Sequence, residues 1–366
     1  MKHTYRTVGL LVLGAFVAGC TAPRTADRAD QPAARPASEP AAQPARTAFR
    51  STIARSALRE QAITVLQTLS VSNDPQTRAN ALEALMPART RLRGPVAAGL
   101  ADENEGVRAV AAVIAGRAGI RDLAPQLRGL LSDPSPYVRV GSMYALRAMR
   151  QNIDLTPMSV LLLETPDPRL RAQTAFLLGE LGDDSALPML RQALHQRLNT
   201  ATEEQRRLLE LQIAEAMVKL GDDSGLEGIR AALYPAYPNE LELATLAVQI
   251  LGRLGDKSSI GSLINLSEYR QGGRKMPAEI RLAVAEAVGR MGRREGWFIA
   301  EEYLHDPDPL KRALAARVLG QTRRPVDLAT LRTMMEDRSE AVRVAAAGAV
   351  LEATSPSGRL EAGIVP

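Results

Sequence analysis

The chain has 366 residues, enough for two or three ordinary domains, with a formal net charge of +5 and a pI near 9.5. It is 45% hydrophobic but only 3% aromatic, and its one Cys excludes an intrachain disulfide. A core poor in aromatic side chains argues against a large globular enzyme. It favours closely packed helices, because Ala and Leu are strong helix formers and let helix axes approach.

The excess positive charge lies mainly near the N-terminus. Without Lys2, Arg6 and the four Arg and three acidic residues of 21–48, the chain retains 40 basic and 38 acidic residues. A nucleic-acid-binding domain would carry a large local excess of Lys and Arg. The charge distribution therefore argues against nucleic acid as a partner.

A secretory signal is predicted at the start of the chain. The apolar run Val8–Ala18 is too short to cross a bilayer but has the length of a signal-peptide core. It ends in Val17-Ala18-Gly19-Cys20, which resembles the lipobox of bacterial lipoproteins. The resemblance implies a signal peptide over 1–19 and acylation of Cys20, which would anchor the chain in the cell envelope. With Thr21 next, it implies the outer membrane, facing the periplasm.

Residues 20–49 are predicted to be a disordered tether that starts at the lipidated Cys20. Beyond that Cys the segment is rich in Ala and Pro, with Pro32, Pro36, Pro40 and Pro44 at four-residue spacing. Proline biases its predecessor towards extended backbone, so the segment is a semi-rigid spacer. At about 3.1 Å per residue it would hold a folded part up to roughly 80 Å from the membrane.

One pattern recurs from residue 50 to residue 355, before a short flexible tail over 356–366. An Arg recurs at intervals of 30–39 residues, with Glu or Ala in its place in two copies. Gly follows eleven residues later in five copies. The nine reference positions are Arg78, Arg108, Arg139, Arg171, Glu210, Ala244, Arg281, Arg312 and Arg343.

Each copy is predicted to be a pair of short helices. In six copies an N-cap type residue stands four positions before the reference, as Asp167 does before Arg171, and its side chain can accept from first-turn amides. Pro168 fits the first helical position, where a missing N–H costs nothing. Apolar residues then recur at i+3/i+4 spacing, and Gly182 is placed to end the helix in a left-handed conformation.

These features resemble HEAT repeats, in particular the HEAT-like type of phycobilisome lyase subunits. The resemblance rests on pairs such as Val107-Arg108, Leu170-Arg171 and Val342-Arg343 and on the Leu-Gly-Asp-Asp stretch at 220–223. It implies an all-α, right-handed α-α superhelix of about nine helical hairpins. Stacked at about 8–10 Å, nine units would form an open arc roughly 80 Å long.

No residue set for catalysis is recognisable, and no catalytic residue, metal site or cofactor is predicted. Deoxyhypusine hydroxylases, a HEAT-like enzyme family, hold iron with His-Glu pairs. Here His195 and His305 are followed by Gln196 and Asp306, so that motif is missing. No Gly-rich phosphate loop or Ser-His-Asp arrangement is present either.

The recurring Arg has two interpretations. A row of Arg on one face could bind phosphate or another polyanion. Alternatively, each Arg bonds an Asp or a carbonyl at the turn of its own or the next unit, as a structural ladder. The near-neutral repeat region favours the ladder, whose members are Arg78, Arg108, Arg139, Arg171, Arg281, Arg312 and Arg343.

Three consecutive junctions between units are longer than the others. The insertions cover 195–203, 234–239 and 269–277, and equivalent loops of stacked units lie on one edge, which often binds a partner. Tyr and Arg are enriched at interface hot spots. The candidate partner-binding residues are therefore Tyr234, Tyr237, Tyr269, Arg270, Arg274 and Lys275; drift in tolerant surface loops is the alternative.

The sequence thus favours a membrane-anchored, non-catalytic scaffold. It would bind an unidentified protein or peptide through the concave face or the inserted edge. Two alternatives remain: a lyase-type enzyme or enzyme subunit acting on a prosthetic group, and a polyanion binder that uses the Arg row.

Overall fold

The computed structural model describes residue 49 and residues 51–234, 241–271 and 274–355. The signal peptide, Cys20, the tether and the C-terminal tail lie outside these ranges, as does Tyr237.

Within the described residues, nine helices follow one another along the concave side of the molecule, and each packs against the next. We call them the inner helices. They are α2 (Pro75–Ala84), α4 (Glu105–Ala118), α6 (Pro136–Ala148), α8 (Pro168–Leu181), α10 (Glu203–Lys219), α12 (Leu241–Leu254), α14 (Ala278–Arg290), α16 (Pro309–Thr322) and α18 (Glu340–Thr354).

A second set of helices packs on the outside of these, and we call them the outer helices. They are α1 (Thr52–Leu69), α3 (Arg93–Leu100), α5 (Ala124–Gly129), α7 (Thr156–Leu163), α9 (Leu187–His195), α11 (Leu226–Ala231), α13 (Ile260–Glu268), α15 (Trp297–Glu301) and α17 (Pro325–Met334). Two short strands, β1 (Arg270–Gln271) and β2 (Arg274–Lys275), pair antiparallel between α13 and α14. The other short elements are 3₁₀ turns at Met86–Arg91, Arg121–Leu123, Leu130–Ser132, Asp184–Ala186, Asp223–Gly225 and Lys257–Ser259.

The inner helices begin largely as predicted. The side chains of Asp74, Asn104, Asp167 and Asp308 accept hydrogen bonds from first-turn amides. Ser135 differs, because its side chain caps nothing and its backbone N–H donates to Asp133 instead. Ser339 likewise donates to Asp337. An Asp two residues before the cap position accepts from the cap residue's N–H in these two units, and also in the units of Asn104 and Asp308.

The inner helices end as predicted at left-handed glycines. Gly119, Gly182, Gly221, Gly255 and Gly292 have φ between 67° and 95°, a region that L side chains rarely adopt. Two units use Arg at the equivalent position, with φ of 61° at Arg150 and 55° at Arg323. The repeat therefore keeps this backbone conformation even where it lacks glycine.

Small residues bring neighbouring inner helices into close contact. Gly116 lies on Ala145, and an added Cβ would come 2.7 Å from the facing Cα. Gly320 lies on Ala349 in the same way, with a corresponding separation of 2.9 Å. These pairs explain the low aromatic content, since backbones this close leave no room for large side chains.

The array closes on itself, whereas the sequence predicted an open arc. The last inner helix, α18, has no following outer helix in the described residues, and α1 packs in that place, against both α18 and α2. Gly348 of α18 meets Ala84 of α2, and one core cluster joins residues of the first and last units. Arg59 of α1 donates to the carbonyl oxygens of Leu351 at 2.9 Å and Pro87 at 2.6 Å. The first and last units thus complete a ring.

The closed ring has two edges and an interior. We call the edge where inner helices begin the N-cap edge, and the edge where they end, mostly at glycine, the glycine edge. The space enclosed by the inner helices is the lumen. The concave face is one of the two predicted binding surfaces. In this ring it surrounds the lumen and does not form an open groove.

Candidate functional site

The recurring arginines line the N-cap edge and bond to it. Arg78 of the first unit contacts Asp102 of the second through two hydrogen bonds of 2.8 and 2.7 Å. The carbonyl of Asp102 accepts from Arg108 of its own unit at 2.8 Å, and its carboxylate also accepts from the Asn104 amide. One Asp thus links two successive arginines and a helix cap. The same arrangement joins Arg108 to Asp133 at 2.9 and 3.0 Å.

The remaining arginines of this row find other partners. Arg312 repeats the pattern with Asp337, and Arg343 and Arg139 donate to carbonyls at their own turns. Arg171 bonds Gln196 of the first insertion and two carbonyls. Arg281 bonds Glu302 and Tyr303, although Asp306 stands at the usual spacing after it. All seven guanidinium groups are engaged within the ring, as a structural ladder requires.

The described parts of the inserted junctions also lie where outer helices end and inner helices begin, which is the N-cap edge. The first insertion packs on the fourth unit, since Thr200 donates to the Pro166 carbonyl at 2.8 Å. The third forms the β1–β2 hairpin, in which Arg270 pairs with Lys275. The Lys275 ammonium lies 3.4 Å from the Glu302 carboxylate.

Two of the candidate anchors are exposed aromatic side chains. Tyr234 is 63% exposed and Tyr269 is 58% exposed, although aromatic residues are rare in this chain. Arg270 and Lys275 are also exposed. The side chain of Arg274 lies outside the description, as does Tyr237. Four of the six proposed partner residues can therefore be placed, all on the N-cap edge.

Charged side chains fill the lumen, and the sequence analysis missed them. Arg117 of α4 reaches Glu180 of α8 past α6, which is possible only on the concave side. Lys219 then bridges Glu180 at 2.8 Å and Glu215 at 2.9 Å, and Arg253 forks onto Glu215 at 2.8 and 2.7 Å. We call this set of charged residues the lumen belt. Its members are Arg117, Glu180, Glu215, Lys219 and Arg253 together with Glu83, Glu286, Arg290 and Arg317.

The lumen belt continues through the last units. Glu286 accepts from Arg290 and Arg317, each at 2.8 Å. Burial acts to raise the pKa of the Glu286 carboxyl, but these two cations outweigh it and bring the pKa to about 2. The pKa of Glu215 is likewise about 2, because Arg253 and Lys219 outweigh its burial. Both carboxylates are therefore ionised across the physiological pH range.

Glu83 is the exception in the belt. Loss of hydration raises the pKa of its carboxyl to about 7, against the opposing influence of Arg117 and Arg317. Some of its surface stays accessible, but surrounding protein atoms remove most of its hydration. It lies on α2 next to the ring closure, one residue before the Ala84 that meets Gly348. This carboxyl is thus poised to change charge near neutral pH.

Two negative findings apply to the described residues only. No group of three or more His, Cys, Asp or Glu side chains within those ranges is arranged to hold a metal ion. Among the helices of the same ranges, none combines the length and apolar character needed to cross a bilayer.

Comparison with known proteins supports the repeat assignment. Residues 267–352 match the family model described as HEAT repeats. No curated protein matches the chain in sequence. With the hairpin architecture above, the match confirms an α-solenoid that contains HEAT repeats, a fold class generally used for binding and scaffolding.

Three solved structures are similar to this chain at low sequence identity. Human deoxyhypusine hydroxylase, in complex with glycerol, is 18% identical over 82% of this chain and 98% of that chain, with a TM-score of 0.33. One engineered protein is 17% identical over 85% of this chain and 93% of its own, with a TM-score of 0.31. A second engineered protein is 15% identical over 81% and 97%, with a TM-score of 0.24.

Proposed function

We propose that this chain is a lipid-anchored, non-catalytic scaffold that binds a protein or peptide partner at the N-cap edge of its ring. The anchor would be Cys20, in the bacterial cell envelope facing the periplasm. The partner site would centre on Tyr234 and Tyr269, with Arg270 and Lys275 beside them. The observation that carries the proposal is the exposure of these two tyrosines on one edge, at neighbouring inserted junctions.

Exposed tyrosines are unusual in a chain that is 3% aromatic. Leaving the ring of Tyr234 63% exposed forgoes a large burial of apolar surface, which a partner could recover. Tyr and Arg supply most of the binding energy at many protein interfaces. The ring therefore offers amphipathic anchors on a rigid edge.

The other surfaces are less suited to a macromolecular partner. The lumen belt occupies the concave side with paired charges, and a peptide would have to break those pairs to enter. The recurring arginines already bond within the ring, which weakens the case for a polyanion bound along that row. This leaves the inserted part of the N-cap edge as the surface best suited to a macromolecular partner.

Site-specific photocrosslinking in intact cells tests the proposal. A photoreactive phenylalanine analogue at position 234 or 269 should capture one and the same protein. The matched controls place the analogue at Val160, which is 44% exposed on α7, and at Phe298, which is 50% exposed on α15. Tyr234→Ala and Tyr269→Ala should each weaken binding of the captured protein by about 2 kcal/mol.

Two results would contradict the proposal. One is the same set of products from all four positions, because random encounters do not distinguish surfaces. The other is unchanged affinity of the Tyr234→Ala and Tyr269→Ala variants for the captured protein. Circular dichroism of each variant checks that the fold is intact.

A further inference from the structure

Both described ends of the chain lie at the glycine edge. The helix α1 runs antiparallel to α18, since Arg59 near its start bonds Leu351 and Thr354 near the end of α18. At the other end of α1, Ser72 donates to Glu340 at the start of α18. The segment that precedes residue 51, which contains the proposed tether, therefore joins the ring at the glycine edge.

Exposed arginines concentrate in one half of this edge, around the ring closure. The half comprises the start of α1, the segments 86–93, 119–122 and 147–155, and the turns at 292–296 and 323–324. Its exposed acidic residues are Glu60, Asp122, Asp154 and Glu295. Its exposed arginines number eight: Arg89, Arg91, Arg93, Arg121, Arg147, Arg150, Arg293 and Arg294. We call this surface the basic half.

Contacts join neighbouring segments of the basic half on each side of the closure. Arg59 of α1 reaches the Pro87 carbonyl, and Arg93 pairs with Asp122 of the next turn. On the other side, the Arg324 guanidinium stacks 4.2 Å from the centre of the Trp297 ring.

The favourable interaction of basic side chains with helix C-termini does not explain why the arginines lie in one half of the edge. Basic side chains are favourable at any helix C-terminus. The inner helices α8 and α10 nevertheless end at Asp183-Asp184 and Asp222-Asp223, in the opposite half of the same edge. The arginines are therefore concentrated on one side, where the chain ends meet.

Two exposed apolar side chains accompany the arginines. Ile53, the second residue of α1, is 84% exposed, and Phe298 at the start of α15 is 50% exposed. Large apolar residues beside Arg are the composition of surfaces that bind the interface of a membrane. The apolar groups enter the headgroup region, while guanidinium groups pair with lipid phosphates.

We propose that the basic half of the glycine edge binds the anionic phospholipid surface of the membrane that carries the anchor. This rests on the lipid-anchored scaffold proposed above. The tether leaves from the same edge, so anchoring at Cys20 keeps the basic half close to that surface. Docking turns the N-cap edge, with Tyr234 and Tyr269, away from the membrane and towards a partner.

Vesicle binding without the acyl chains tests the proposal. The protein is the chain from residue 20 with Cys20→Ser, and the vesicles contain phosphatidylglycerol in phosphatidylcholine or phosphatidylcholine alone. Binding should require phosphatidylglycerol and weaken as salt rises. Each Arg near an anionic surface contributes about a fivefold factor to partitioning. The triple variant Arg89→Gln, Arg121→Gln, Arg293→Gln should therefore bind about 100-fold more weakly.

Matched variants separate the surface from overall charge. Arg197→Gln, Arg332→Gln and Arg338→Gln remove three exposed arginines from the N-cap edge. This triple variant should bind the vesicles at most about threefold more weakly than the parent, because these charges act on the membrane only at long range. Ile53→Ser with Phe298→Ser should weaken binding at least about fivefold, by the loss of apolar burial. Val71→Ser changes a side chain that is 72% exposed on the N-cap edge, and it should leave vesicle binding unchanged.

Three outcomes overturn the proposal: no binding to phosphatidylglycerol vesicles, equal binding to both vesicle types, or equal losses from the two triple variants. Binding to a soluble sulfated polysaccharide but not to vesicles also overturns it, in favour of a polyanion partner. None of these outcomes bears on the tyrosine crosslinking result. The proposal of membrane binding by the basic half can therefore be refuted independently of the proposed partner site.

Discussion

The ladder at the N-cap edge makes its strongest prediction at Arg312. Its guanidinium forks onto Asp337 with two bonds of 2.9 Å and donates to the Asp306 carbonyl at 2.7 Å. The Arg312 side chain is 7% exposed and that of Asp337 is 16% exposed. Arg312→Ala would leave a largely buried carboxylate whose other partner is the Ser339 amide. Removing one partner of a buried ion pair lowers the unfolding free energy by about 3–5 kcal/mol. Because Asp337 keeps its hydrogen bond from the Ser339 N–H, we expect a loss near 3 kcal/mol.

Urea and thermal unfolding of the chain from residue 20 with Cys20→Ser measure this loss. Arg312→Lys keeps the positive charge but cannot make both hydrogen bonds to Asp337. Its unfolding free energy should therefore lie between those of the parent and Arg312→Ala. The matched control is Arg338→Ala, at an exposed position of the same edge, which should change the unfolding free energy by less than about 0.5 kcal/mol. If Arg312→Ala and Arg338→Ala unfold alike, the row does not stabilise the ring.

Three further predictions concern the lumen, the closure and the anchor. The folded pKa of Glu83 is about 7 and its unfolded value about 4.5, so the folded state binds more protons between these values. Unfolding free energy should therefore fall by up to about 3 kcal/mol as pH rises from 4.5 to 7, and Glu83→Gln should abolish that slope in urea titrations. Arg59→Ala should cost about 2–3 kcal/mol by removing charged hydrogen bonds across the closure, whereas Arg55→Ala, which loses only a local bond to Phe49, should cost less than about 1 kcal/mol in the same assay. Mass spectrometry of the mature protein should show acylated Cys20 as its first residue, and a soluble, unmodified product starting elsewhere would contradict the anchor.

Local features of the fold could be predicted from the sequence because each depends on a few neighbouring residues. The left-handed turn at Gly182 follows from a glycine at the end of an apolar stripe, and the cap at Asp167 from an Asp before a Pro. Ser135 was wrongly predicted as a side-chain cap, because its hydroxyl accepts from no first-turn amide although its backbone starts the helix in the extended conformation of an N-cap. Whether a cap side chain reaches those amides depends on its rotamer, which residue type alone does not specify.

The closure and the lumen belt were missed because they depend on contacts distant in sequence. Gly348 and Ala84 are unremarkable small residues until α18 and α2 are brought together. The belt did leave a signal, since Glu215 and Lys219 stand four residues apart on α10, a spacing that places both on one face. Because different residue types occupy the equivalent positions in other units, the repeat pattern did not reveal it.

The arginines of the basic half lie together on one surface only if the ring is closed, and one disulfide tests the closure directly. A Cβ built on Gly348 lies 3.1 Å from the Ala84 Cβ. Disulfides need about 3.5–4.5 Å, so a shift of a few tenths of an ångström between α2 and α18 would accommodate the bond. In a Cys20→Ser background, Ala84→Cys with Gly348→Cys should form an intramolecular disulfide on mild oxidation, seen as faster migration on a non-reducing gel. The positive control is Ala112→Cys with Gly141→Cys, on the adjacent helices α4 and α6, where the corresponding separation is 3.4 Å. Closure predicts that both pairs oxidise fully within the monomer. A free thiol pair at 84 and 348, with the control oxidised, would show that the array is open.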